Sequence, residues 1–293
     1  MLPDEIKIKD IKPALSGYIA ESLRLLKKPS FPDEDAVHDI RVLMKKSRAI
    51  MKLLSPQIDQ ESFARDYSAF KDAGQILASW RDTSVQRKTL KAVRKSNREL
   101  FSRLGRNRIL DDILNKTELP LEHDLETTGK ITALENILKK SLYRIRFYSI
   151  NNPDFRLLYQ ELDKSYRTVS KIYLDCRHNP KPLKIHKFRK RLKDFLYQVY
   201  FFRPLNQHAI KNIEKRLDNM AQNLGKYNDI TQIINFLGYK YGDPENTPAL
   251  DEFIALLKGM QDEYLIKVWP DALKIFRPGQ KLQALLGFRL LIL

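Results

Sequence analysis

The sequence predicts an all-α protein, and three observations carry that prediction. Apolar residues recur at helical spacing along most of the 293-residue chain, and no convincing run alternates with a period of two. Only ten glycines interrupt it. Pro56, Pro153, Pro180, Pro182 and Pro204 fall between the periodic segments, where proline is tolerated, and not inside them. Helices are expected over about 11–28, 33–54, 58–79, 82–103, 131–150, 154–178, 182–203, 206–224, 227–240, 248–265 and 279–292. Long helices with short connections pack as a bundle.

Taken in order, the punctuation justifies these elements. Pro32, Asp33 and Glu34 open the second helix with acids in its first turn, as the helix dipole prefers. Pro56 closes it. The next two helices flank LASWRD, which ends at Asp82. Asn151, Asn152 and Pro153 break the chain almost at its midpoint. Pro180 precedes the 182–203 helix and Pro182 opens it, Pro204 ends it, and the following two flank LGKYND. The terminal LLGFRLLIL is short and apolar, as a docked last helix would be.

Composition narrows the partners. The 53 Lys and Arg against 36 Asp and Glu leave a net charge of +17, which points to an anion: nucleic acid, anionic lipid or a phosphate polymer. A lone cysteine, Cys176, leaves no internal disulfide framework and fits a reducing compartment. MLPDEIKIKD lacks the apolar stretch of a secretory signal, and no run of about 18 apolar residues exists to span a membrane. A cytoplasmic protein is expected.

The decisive stretch is VHDIRVLMKKSRAIMK, residues 37–52. On a helix His38, Arg41, Lys45, Arg48 and Lys52 fall within an arc of about 80°, with Asp39 outside it. Val37, Ile40, Leu43, Met44, Ile50, Met51 and Leu54 take the other side. The pattern recurs in KIHKFRKRLKDFLYQVYFF, where His186, Arg189 and Lys193 repeat the spacing of His38, Arg41 and Lys45. Asp82 follows His38 by 44 residues, and Asp229 follows His186 by 43. Each half, about 1–150 and 151–293, thus carries an HxxRxxxK helix and then an aromatic-x-Asp turn. One domain of two related halves is expected. The second stripe is narrower: Asp194 and Leu196 stand where the first has Lys46 and Arg48, Asn228 replaces Arg81, and Lys190 compensates in part.

VHDIRVLMKKSR, IHKFRKRLK and the WRD and LGKYND turns resemble the conserved histidine α-helical domain (CHAD) family, over about residues 10–290. The resemblance implies two related helical bundles around a basic groove or channel that binds inorganic polyphosphate. Some relatives carry a triphosphate-tunnel hydrolase domain. This chain has no room for one, so a stand-alone member is expected and hydrolysis is not carried over. Polyphosphate granules are a natural location for such a protein.

Phosphate polymers suit the stripes chemically. A row of Arg forks and Lys point charges holds a polyanion without reading any sequence. Arg41 and Arg189 fit bidentate phosphate contact, while Lys45, Lys193 and Lys52 neutralise adjacent units. His38 and His186, among cations, are expected neutral until phosphate arrives. Arg24, Lys28 and Lys171 on preceding helices, and Lys226 near Asn228, are further candidates. Asp82 and Asp229 are expected to cap a helix or orient an arginine, with Trp80 and Tyr227 as packing residues.

Other chemistry is thin. GK at 225–226 lacks the upstream glycine of a phosphate loop, and CRH at 176–178 is too small for a zinc site. Asp33, Glu34 and Asp35, and the pair Asp111 and Asp112, mark helix starts and turns more readily than metal sites; His123 and His208 have no motif around them. No nucleophile–base–orienter set is visible, so the expectation is a binding protein, without catalysis, cofactor or metal. Two rivals stand. Nucleic acid is one, kept open by Tyr197 and Tyr200 near the second stripe. A histidine phosphotransfer module is the other, though it needs fewer cations.

Overall fold

The computed structural model describes residues 11–27, 32–104, 110, 114, 125–150, 153–239 and 248–287. Lys28, Asp111, Asp112 and His123, and the side chains of Trp80, Arg81 and Asp82, lie outside the described residues. Among the described residues there are eleven α-helices and no strand: α1 (Ile11–Leu26), α2 (Glu34–Leu54), α3 (Gln60–Ile76), α4 (Ala78–Ser96), α5 (Arg98–Leu104), α6 (Leu125–Ile145), α7 (Phe155–His178), α8 (Pro182–Val199), α9 (Gln207–Tyr239), α10 (Pro248–Phe276) and α11 (Leu282–Leu286). Short 3-10 turns follow α2 and α8. The fold is all-α, and none of its described helices is long and apolar enough to cross a membrane.

α1, α2, α3 and α6 pack together, as do α7, α8, α9 and α10. The two groups join where α2 lies against α7 and α8. A single apolar core runs through both, from Ile11 and Leu15 to Phe276 and Leu286. A second, smaller core holds the outer end of α4 and α5 against α9 and α10, through Leu90, Val93, Leu100, Ile233 and Phe253. α4 therefore crosses from the first helix group to the second.

Local chemistry explains the boundaries. Asp33 caps α2, its carboxylate accepting from Ala36 N at 2.7 Å, and Glu34 receives Arg87 and Lys88. Asp154 caps α7, and Pro182 occupies the first turn of α8, where no amide bond is lost. Several boundaries differ from expectation, among them the 131–150 helix, which runs instead from Leu125 to Ile145. The expected 82–103 helix starts earlier and breaks at Asn97, whose side chain donates to Val93 O. The expected pair 206–224 and 227–240 is one 33-residue helix, α9, so LGKYND is not a turn. Similarly WRD sits in the first turns of α4. α10 continues past 265 to Phe276 despite Pro270. Buried Val268, Ala272, Ile275 and Phe276 hold its last turns, and burial outweighs the one backbone bond proline removes.

Candidate functional site

α2 and α8 carry the two stripes, and their packing decides what the stripes become. Both helices bury an apolar face: Ile40, Met44, Ile50 and Met51 on α2, and Ile185, Phe188, Leu192 and Phe195 on α8. Gln198 of α8 donates to Ala49 O of α2 at 3.1 Å, tying the two together. The cations on the flanks of these faces then meet. Arg41, Lys45, Arg48, Arg189 and Lys193 are each half-buried, where an ordinary solvated stripe would be exposed.

Electrostatics shows how close the stripes are. Burial is the first cause that pushes the Lys45 ammonium down to about 7, followed by Lys193, Arg41, Arg189 and Arg48. Every charge named there is positive, and two belong to the other helix. Burial and Arg189 push Lys193 down to about 8, with Lys46 adding to the effect and Asp218 opposing it. His186, though exposed at the surface of α8, is held below its ordinary value by partial burial of its ring and by Arg189, Lys190 and Lys45. Burial lowers Arg189 as well, and the negative charge of Asp229 opposes the shift.

The arginines are braced from behind. Arg41 Nη1 donates to Gly74 O at 2.7 Å, and Arg189 Nε to Ala221 O at 3.4 Å. Gly74 precedes Asp82 by the same interval as Ala221 precedes Asp229. The Arg189 guanidinium also lies on Gly225, where an added Cβ would stand 3.2 Å from its Nη2. Gly225 thus makes room for an arginine inside a helix; it is no phosphate loop. Arg48 Nε is buried with no hydrogen-bond partner. A donor left in that state costs about 1–3 kcal/mol, which a bound acceptor would relieve.

Not every expected residue joins. Lys52 is held by Asp194 at 2.5 Å, so the acid of the poorer stripe cancels the last cation of the richer one. Arg24 is exposed and paired with Glu21, whose carboxylate raises its pKa. Lys171 stands exposed on α7, His38 is exposed near the start of α2, and Lys190 is exposed beside Arg189. Lys226 turns toward α10, its Nζ 5.8 Å from the Tyr264 ring. Lys28 lies outside the described residues.

Three contributors were not legible as site residues. Lys46 lies 5.4 Å from the Tyr18 ring and 6.0 Å from Tyr197, and Lys193 lies 5.6 Å from Tyr197. The two rings are cation supports. Tyr197 is half-buried, and burial raises its hydroxyl well above the usual tyrosine range. Asp218, on α9, is the third. Lys46 repeats no residue of the second stripe, and Tyr18 and Asp218 reach the cluster only through the tertiary fold.

Among known families, residues 17–238 match the CHAD domain. The chain belongs to the CHAD family. That match runs from within α1 to near the end of α9 and so includes α2 and α8, the two helices of the cation cluster. No curated protein matches the chain.

Proposed function

We propose that this CHAD protein binds inorganic polyphosphate at the shared cluster of α2 and α8, without catalysing a reaction on it. The observation that carries the reading is the packing of α2 on α8, which leaves Arg41, Lys45, Arg48, Arg189 and Lys193 half-buried and brings Lys46 and Lys193 to the same Tyr197 ring. A cluster of like charges is costly when empty and pays only when an anion enters. A phosphate polymer matches it, because closely spaced oxygens along one chain meet arginine forks and ammonium groups from two helices. Family membership points the same way. The reading places the protein in the cytoplasm, at polyphosphate deposits.

Nucleic acid is the less favoured ligand. Tyr197 is half-buried and engaged with Lys46 and Lys193, and Tyr200, though exposed, carries the Arg203 guanidinium 4.3 Å from its ring centre, so neither ring is an open stacking surface for bases. Direct titration with long polyphosphate, pyrophosphate and single-stranded DNA at matched salt tests the proposal. Long polyphosphate should bind tightest, with affinity falling steeply as salt rises. Tighter binding of DNA in the same buffer would overturn it.

A further inference from the structure

A second cationic surface lies outside the α2–α8 cluster. Between Asp82 and Glu99 the chain has six Lys and Arg and no acid. Glu34 holds the first two, Arg87 and Lys88. The remaining four, Lys91, Arg94, Lys95 and Arg98, are exposed and have no acid partner among the described residues. Acids do serve their neighbours: Arg103 pairs with Glu252 at 2.7 Å.

These four line one open cleft of about 560 Å³, with Phe101 and Ser102. The helix breaks at Asn97, and the cleft is lined from both sides of that break, by Lys91, Arg94 and Lys95 of α4 and by Arg98, Phe101 and Ser102 of α5. Buried Leu90, Val93 and Leu100 pin the corner to α9 and α10, so the cations sit on a fixed frame. Arg94 and Lys95 in the last turn of α4 suit the helix dipole, but Lys91 and Arg98 lie outside that turn. Like charges three and four residues apart disfavour a helix, so the grouping carries a cost that no acid among the described residues offsets.

We infer that this cleft is a second phosphate-binding station, taking a distant segment of the same polyphosphate chain that occupies the α2–α8 cluster. The inference rests on the function proposed above. α4 begins at Ala78, four residues after the Gly74 carbonyl that braces Arg41. It rises about 1.5 Å per residue, which puts Arg94 about 24 Å along its axis from that start. A chain of a few phosphates cannot bridge that span, whereas a long one can, and two tethered contacts strengthen each other. The cleft has two arginine forks and two ammonium groups for phosphate. Its one aromatic among the described residues, Phe101, is half-buried and edge-on to Phe253 at 5.2 Å, a poor platform for a base.

The test uses the full chain with Lys91→Gln, Arg94→Gln, Lys95→Gln and Arg98→Gln together. Glutamine keeps helix propensity and all four sites are exposed, so melting should be nearly unchanged. Affinity for long polyphosphate should fall about tenfold and its salt dependence should flatten, while tripolyphosphate affinity stays as in the unmodified protein. Unchanged long-chain affinity would overturn the inference and leave the central site standing. Loss of single-stranded DNA binding with long-polyphosphate binding intact would overturn it in favour of a nucleic-acid surface. If Arg41→Glu with Lys45→Glu leaves long-chain binding intact and the cleft variant abolishes it, the central reading fails and the cleft alone is the site.

Discussion

Two charged centres in this molecule are built in opposite ways. Asp66 on α3 is fully buried, and it is fully served. Arg144 Nε donates to it at 2.7 Å, the Tyr148 hydroxyl donates to its other oxygen, and Arg65 approaches at 3.7 Å. That cluster joins α3 to α6 as a closed internal structure. Around Lys45 the same fold crowds cations from two helices and leaves Arg48 Nε without an acceptor. The chain evidently can pair a buried charge. For Lys45 and for Arg48 Nε no acid among the described residues does so, and on the proposed function an external anion fills that place.

The largest effect should separate these centres by stability. Asp66→Ala leaves Arg144 without its partner, a loss of about 3–5 kcal/mol and on the order of 10 °C in Tm. Lys45→Met removes a half-buried charge from among four cations. It should raise the Tm of the empty protein by about 2–4 °C and weaken polyphosphate binding. Thermal melts of both variants, with and without long polyphosphate, check the contrast. If Lys45→Met destabilises the empty protein, the cluster is structural and the comparison fails.

Next come the stripes themselves. Arg41→Glu with Lys45→Glu, and Arg189→Glu with Lys193→Glu, should each weaken long-chain binding by about two orders of magnitude and flatten its salt dependence. The sequence alone favours a clearly larger loss from the first pair, since Arg48 and Lys52 have no cationic counterparts on α8. The Lys52–Asp194 bridge trims that advantage to Arg48. The first pair should still lose more, by only a few-fold. Titrations of the two folded variants, with helicity verified by circular dichroism, measure the ratio.

Acidity sharpens the comparison further. Lys45 loses its proton near 7 in the fold but near 10.5 when unfolded, so between those values the unfolded chain binds more protons. Stability of the empty protein therefore rises with pH above about 7. Lys193, pushed down to about 8, adds to the same trend. The rise should be followed to about pH 9, below the range in which tyrosines ionise. Lys45→Met should make it shallower. Polyphosphate restores the proton, so its affinity should fall over this range and calorimetry in two buffers should register proton uptake. No uptake would mean that the ligand does not reach Lys45.

The smallest effect concerns Gly225. Alanine there gains helix propensity worth up to about 1 kcal/mol but presses its Cβ on the Arg189 guanidinium. Stability should hold while polyphosphate affinity drops a few-fold. Equal affinity would show that Arg189 shifts without consequence.

Much of this was legible in the chain. The apolar faces of α2 and α8 and the HxxRxxxK spacing gave the all-α class and five of the converging cations, because both follow helical period. The continuity of α9 through Gly225 was not legible, since the glycine answers to Arg189, a partner 36 residues away. Nor was the capture of Lys52 by Asp194, which depends on how the two helices cross. Spacing shows which side chains share a face; it does not show which face meets another.

That meeting is the central claim, and a double-mutant cycle between Lys45 and Arg189 tests it most directly. Long-polyphosphate affinity is measured by calorimetry for Lys45→Ala, Arg189→Ala and the double variant. If the two helices grip one segment of ligand, the losses will depart from additivity by more than about 0.5 kcal/mol. Additive losses would mean two independent stripes, and would contradict the shared site.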